Sequence, residues 1–312
     1  MPTPVREVVV DAADAGQRLD RYLRKLLDDV PLGAIFKQLR TKRITVDGRK
    51  AEPSLRITEG MRIGMRVDSQ SLAPREEGDE GGEPAAPVEP VRWQGLEPEV
   101  VHQDAHLLVV DKPSGMASQP GSGTRDDLTA WIRVRLAPLT TPTFHPAPAH
   151  RIDRGTSGLV VIGTTPQGLR AASELFRGKG VKKTYLAVVT GIAPEQGAVD
   201  EPLQPIEDSR PDGPKVRVHP DGQPANTRFR RVATGAGNSL LRVSILTGRM
   251  HQIRAHLAHI GHPIVGDRRY GSQLDRGGRL MLHASELEFE HPVTGRRLHL
   301  RANTPDTFRI RS

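Results

Sequence analysis

HRIDRGTSGLVVIG, residues 150 to 163, places a short polar loop directly ahead of an unbroken apolar run. The run from Leu159 to Ile162 reads as a strand, and Gly155, Thr156, Ser157 and Gly158 supply the tight-turn chemistry that leads into it. Within the loop Asp153 stands between Arg151 and Arg154. Flanking cations hold a carboxylate ionised, which suits a nucleophile or a base and does not suit a general acid. The same residues without context also read as a surface ion-pair cluster, and composition alone leaves both readings open.

Outward from this loop the chain continues in short apolar runs at AHLLVVD, YLAVV and SLLRVSIL, several bounded by Gly or Pro. Thr165-Pro166 offers an N-cap and a first-turn proline for a helix carrying Leu169, Ala172, Leu175 and Phe176. A second helix from about Met250 to Ile260 stacks Ile253, Leu257 and Ile260 on one face and stops at Gly261-His262-Pro263. Strands and helices do not alternate regularly, so residues 95–312 are expected to form an α+β domain around a mixed sheet rather than a doubly wound one.

The N-terminal stretch, residues 1–68, reads as a separate small α+β module. Leu19, Leu23, Leu26 and Leu27 make a helical stripe, and Ile35, Phe36 and Leu39 make a second, followed by the basic residues Arg40, Lys42 and Arg43. ITVDGRKA predicts a short strand, an Asp47-Gly48 turn of type I′ and a return strand, and MRIGMRV predicts a further alternating strand. Between the two parts, residues 69–94 contain Pro, Gly and acidic residues with almost no large apolar side chain, the composition of a flexible linker. The net charge of +8 divides accordingly: +4 over 1–68, −6 over 69–99 and +10 over 100–312.

The 312 residues contain no cysteine, which removes disulfides, thiolate nucleophiles and Cys-based metal sites. No run of 18 apolar residues occurs and the start is polar, so neither a membrane span nor a secretory signal is expected, and the reading is cytoplasmic. Of the 45 basic residues 36 are Arg. Genomic base composition and a demand for guanidinium contacts to phosphate both explain that bias.

HRIDRGTSGL resembles the catalytic signature His-Arg-Leu-Asp-Arg-x-Thr-Ser-Gly-Leu of the RluA family of RNA pseudouridine synthases, with Ile152 departing at the Leu. LLVVDKPSGM, VKKTYLAVVTG, TGRMHQIRAHLAHIGHPIVGDRRYG and LMLHASELEFEHPVTG follow the family's order. The N-terminal module is similar to the S4-type RNA-binding domain, and the combination most resembles the large-subunit ribosomal RNA branch, the RluC type before the RluD type.

The resemblance implies a largely antiparallel mixed sheet and an isomerase that turns uridine into pseudouridine. Asp153 matches the aspartate that attacks the nucleoside, at the ribose C1′ or the base C6. Arg151 matches the arginine that fills the space of a flipped base, Tyr185 the tyrosine that stacks on the uracil, and Arg254 the basic residue paired with the aspartate. An extruded base needs such a platform and such a filler. Arg254 borders the Ile253/Leu257 stripe, and a partly buried cation needs an anion such as Asp153. Tyr185 shares a strand face with Ala187 and Val189, so a plain core role stands beside the stacking one. Arg40, Lys42 and Arg43 are the expected RNA contacts of the first module.

The implied partner is RNA, 23S ribosomal RNA before tRNA, and a non-catalytic assembly factor is the rival from another class. No cofactor, no metal and no membrane are expected, and the chain is read as a monomer. His251, His256, His259 and His262 crowd one region, yet HExxH is absent and Arg254 lies among them. Gln119 occupies a place where relatives often carry His.

Overall fold

The computed structural model describes residues 5–27, 30–66, 93–120, 127–178, 180–206, 215–271 and 278–310. The stretch read as a linker lies outside them except for Trp93 and Gln94. The chain divides into two compact units, Met1–Trp93 with Leu136–Pro146, and Gln94–Arg135 with Ala147–Ser312. Residues 136–146, expected within the 95–312 part, group with the first unit.

In the first unit β1 (Val5–Val9), α1 (Leu19–Leu26), α2 (Leu32–Arg40), β2 (Ile44–Val46) and β3 (Arg62–Arg66) follow in order. The antiparallel sheet runs β1-β3-β2. Leu19 and Leu23 of α1 and Ile35 and Leu39 of α2 are buried against Ile44, Ile57 and Ile63, whereas Phe36, expected in the second stripe, turns outward and is 39% exposed. Asp47 and Gly48 both have positive φ, 47° and 72°, as a type I′ turn requires.

The expected return strand does not form. Only the bridge Val46↔Arg49 closes the turn, and β2 pairs instead with β3 in the register Ile44↔Met65, Val46↔Ile63. The segment after the turn carries charges and Pro53, whereas β3 offers Ile63 and Met65 to bury beside Ile44 and Val46. The segment Leu136–Pro146 joins this unit at Asp14, a carboxylate only 1% exposed. Asp14 accepts from Gln17 Nε2 at 2.9 Å, from Thr141 Oγ1 at 3.2 Å and from Thr143 Oγ1.

The second unit contains β4 (Glu99–Gln103), β5 (Leu107–Lys112), α3 (Leu128–Arg135), β6 (Ala147–Pro148), β7 (Ser157–Gly163), α4 (Pro166–Arg177) and β8 (Val181–Thr190). It continues with β9 (Gln196–Val199), β10 (Leu203–Ile206), β11 (Lys215–Val218), β12 (Thr227–Gly235), β13 (Asn238–Ile245), α5 (Gln252–His259), β14 (Leu282–Glu290) and β15 (Arg297–Arg301). Among the described residues ten of these strands form one sheet with the path β4-β5-β7-β14-β8-β13-β12-β9, β6 adding to β7 and β15 to β14. Every pairing is antiparallel except β7 with β14, so the sheet is mixed and largely antiparallel as expected.

α4 starts as its sequence predicts: Thr165 Oγ1 accepts the Gly168 N–H at 3.0 Å and Pro166 fills the first turn. Its Ala172 and Phe176 pack on Leu107, Val109, Leu159, Val161 and Phe289 from β5, β7 and β14. On another part of the sheet Ile253 and Leu257 of α5 pack with Ala187, Val189, Leu241 and Val243 of β8 and β13. Among the described residues no helix is long and apolar enough to cross a membrane.

Candidate active site

The Asp153 loop enters β7 between two supports. One is the segment after β5. Ser114 Oγ donates to Gly155 O at 2.6 Å, the Gly115 N–H to Arg154 O at 2.9 Å, and Ser118 Oγ to Ile152 O at 2.7 Å. Lys112, fully buried, donates its ammonium to the carbonyls of Pro113 at 3.0 Å and Met116 at 2.7 Å. Burial pulls Lys112 down to about 7, against the pull of Asp153 and Asp111. The other support is β14, where Ala284 lies opposite Gly158. Gly158 has φ +117°, and a Cβ there would run into the backbone of Ala284, so only glycine lets the loop pass this close.

Asp153 Oδ2 accepts from Arg254 Nη1 at 3.0 Å. Arg254 is held from behind by Asp267, Nε to Oδ2 at 2.8 Å and Nη2 to Oδ1 at 2.9 Å, a two-point fork on a fully buried carboxylate. The backbone N–H groups of Arg269 and Tyr270 donate to the same Asp267 oxygen, and the Tyr270 ring lies 5.2 Å from the guanidinium. Burial works against the Arg254 charge, and Asp267 with Asp153 more than restores it, so the group stays charged above its ordinary range. The fork uses two directions of the guanidinium and leaves the third aimed at Asp153. Arg154, expected beside that carboxylate, instead donates Nε to Gly115 O at 2.9 Å.

Arg151, Asp153, Thr156, Tyr185, His251 and Arg254 line one cavity of about 80 Å³ beside α5. Tyr185 is half-buried, and burial together with the Asp153 charge raises its phenol well above its ordinary value, so the hydroxyl stays protonated. Thr156 is buried, and its hydroxyl has no partner among the described residues. His251 sits at φ +51°, with Nδ1 3.1 Å from the Tyr270 hydroxyl and Nε2 3.8 Å from Asp153 Oδ2. Burial lowers it to about 4, so it is neutral near pH 7. The arrangement offers a carboxylate fixed by one cation, next to an aromatic side chain in the same cavity: a nucleophile or base beside a platform for a flat ligand.

Asp153, Arg151, Tyr185 and Arg254 thus meet, whereas Arg40, Lys42 and Arg43 belong to the first unit. There Arg40 ends α2, Lys42 takes the left-handed φ of 58°, and all three are exposed. Of the crowded histidines, His256 meets Thr227 Oγ1 and Glu201 O, each at 2.9 Å, His262 meets Thr190 O at 3.0 Å, and His259 is exposed. Glu286, Glu288 and His299 come together on the surface, where Arg242, Lys182, Arg297 and Arg301 already pair with them. Gln119 is exposed. Sequence reasoning missed Asp267, Lys112 and Tyr270. The charge of a buried Arg254 was a usable signal for Asp267, since a cation shared with a reactive carboxylate needs a second anion to hold it still.

The model of the family described as RNA pseudouridylate synthase matches residues 106–259. The "Ribosomal large subunit pseudouridine synthase C" of Escherichia coli strain K12 is 35% identical over 309 residues, 96% of this chain and 92% of that protein. The protein of the same name from Vibrio cholerae is 34% identical over 96% of this chain and 93% of its own. Among solved structures, "Human RNA Pseudouridylate Synthase Domain Containing 4" superposes with a TM-score of 0.55 at 26% identity, covering 67% of this chain and 90% of that one. With identity of this level along almost its whole length, and with Asp153 and Tyr185 facing one cavity, the chain belongs to the RNA pseudouridine synthase family.

Proposed function

We propose that this enzyme converts uridines of large-subunit ribosomal RNA to pseudouridine, with Asp153 as the nucleophile, Tyr185 as the platform for the extruded uracil, Arg254 as the holder of Asp153, and Arg151 as the occupant of the vacated stack. The carrying observation is that Asp153 and Tyr185 line one cavity in a chain resembling large-subunit synthases over nearly its full length. The N1–C1′ bond breaks and a C5–C1′ bond forms, while C5 loses a proton and N1 gains one, so the reaction balances without oxidant or reductant. Asp153 makes the transient covalent bond, at C1′ or C6, through its carboxylate oxygen. Arg254, itself held by Asp267, fixes the position of that carboxylate. The basic end of α2, with Arg40, Lys42 and Arg43, is the proposed RNA contact of the first unit.

Mapping pseudouridine in large-subunit rRNA from cells with and without the gene tests this reading. The expected result is loss of one or a few sites, restored by the wild-type protein and not by Asp153→Asn. An unchanged rRNA map overturns it, and sites lost from tRNA instead would move the substrate.

A further inference from the structure

Next to the Asp153 cavity, and sharing Arg151, Tyr185, Gly248 and Arg249 with it, runs a groove of about 730 Å³. Four cations line it, Arg151, Arg177, Lys183 and Arg249, and among the described residues its lining contains no Asp or Glu. Lys183 stands out among them. It is half-buried on β8, where burial lowers its affinity for a proton, and among the described residues no carboxylate pairs with it. Its ammonium lies over the Phe176 ring, 5.5 Å from the centroid, a weak compensation for a desolvated cation. The neighbouring Lys182, by contrast, is exposed and paired with Glu288 at 2.9 Å. Arg177 ends α4 without a carboxylate partner among the described residues, and Arg249 commits only Nε, to Pro224 O at 3.1 Å.

Lys183 and Tyr185 are two residues apart on one strand, so their side chains leave the same face about 7 Å apart. A Cβ on Gly248 would lie 3.6 Å from Lys183 Nζ, which places the ammonium at the rim common to groove and cavity. A ring lying on Tyr185 therefore has a desolvated, unpaired cation one strand step away. We propose that this groove is a phosphodiester site, in which Lys183, flanked by Arg177 and Arg249, binds a backbone phosphate adjoining the uridine held at Tyr185. The inference rests on the reading of the cavity as the uridine site. It adds a local anchor: the phosphate charge completes Lys183 and fixes the nucleotide relative to Asp153, whereas other phosphates of the RNA meet exposed arginines.

The test uses the full chain and defined small ligands: uridine, uridine 3′- and 5′-monophosphate, uridine 3′,5′-bisphosphate and inorganic phosphate, titrated by NMR. The bisphosphate is expected to bind wild type about tenfold more tightly than uridine or inorganic phosphate do. Lys183→Met is expected to weaken the bisphosphate about fivefold while leaving uridine unchanged, and Arg177→Gln about twofold. The monophosphate that loses affinity in Lys183→Met identifies which flank is held. Arg177 lies on an exposed helix end, so its variant reports on the groove even if Lys183→Met folds poorly. The proposal is overturned if Lys183→Met leaves bisphosphate affinity unchanged, if uridine weakens in step with it, or if inorganic phosphate binds as well as the bisphosphate. An unchanged rRNA map would refute the enzymatic reading without altering these affinities, so the two failures are separable.

Discussion

Replacing Asp267 by Asn should cripple the reaction without touching a reacting atom. The carboxylate holds Arg254 by two charge-assisted bonds at 2.8 and 2.9 Å and is itself fully buried. Asn keeps one carbonyl acceptor but turns an N–H₂ toward the second guanidinium nitrogen, so one of the two bonds is lost and replaced by a donor facing a donor. At about 1.5–3 kcal/mol for a hydrogen bond to a charged group, the folded state should lose about 2–3 kcal/mol. The larger effect falls on chemistry. Freed from the fork, Arg254 can swing and take both oxygens of Asp153, and displacement of about 1 Å at a reacting group costs on the order of 10²-fold in rate.

Because forming the C5–C1′ bond expels the C5 hydrogen, release of tritium from [5-³H]uridine-labelled rRNA fragments measures the step directly. The expected result with saturating enzyme is a single-turnover rate lower by about two orders of magnitude, with RNA affinity nearly unchanged. Arg254→Lys, which cannot use the fork, should remove most of the penalty of adding Asp267→Asn. A rate within about threefold of wild type, or a loss cured by more RNA, would refute the clamp.

Acid should destabilise the second unit through histidines buried in neutral form. His251 and His283 are held at about 4 and His150 at about 3, in each case chiefly by burial. Between pH 6.5 and 4 the unfolded chain binds protons that the folded chain refuses. Stability is therefore fully present above about 6.5 and falls by up to about 1.4 kcal/mol per pH unit for each group as pH drops toward 4. Urea midpoints at pH 7 and pH 5 check this, and equal midpoints would contradict it. Gly158→Ala should cost about 3–5 kcal/mol, since it meets both a left-handed φ and the Ala284 backbone. Gly155→Ala, whose added carbon approaches only the Leu280 side chain at 3.2 Å, should cost less than about 1.5 kcal/mol by the same urea assay.

Local signals carried much of this architecture. The Thr165 cap, the Leu19/Leu23 stripe and the apolar run of β7 are decided by residues a few positions apart, and they fold as read. The turn at Asp47 was also local and formed, while its strand partner was not, because β3 lies further along the chain and competes on burial rather than on turn type. The same boundary runs through the site. Asp153, Tyr185 and Arg254 were visible as motifs, but the fork from Asp267 depends on how many anions one buried guanidinium must satisfy. The carbonyl cage of Lys112 depends on where a loop folds back. Neither is written in spacing. The placement of Leu136–Pro146 with the first unit had no signal either, since Thr141 and Thr143 look like ordinary loop residues until they reach Asp14.

The pairing of β7 with β14 also has a temporal meaning. Ser157 meets His283, Asp153 meets Arg254, and the cavity takes its wall from Leu282, so the pocket is closed by a strand made well over a hundred residues after its nucleophile. Contacts of such sequence separation form slowly, after the loop entropy between them has been overcome. During synthesis, then, Asp153 emerges with no holder and no cavity. A growing chain that ends before β14 lacks a wall of its pocket while it is still attached to the ribosome, whose RNA is the proposed substrate, and competence arrives only when the last large strand is in place.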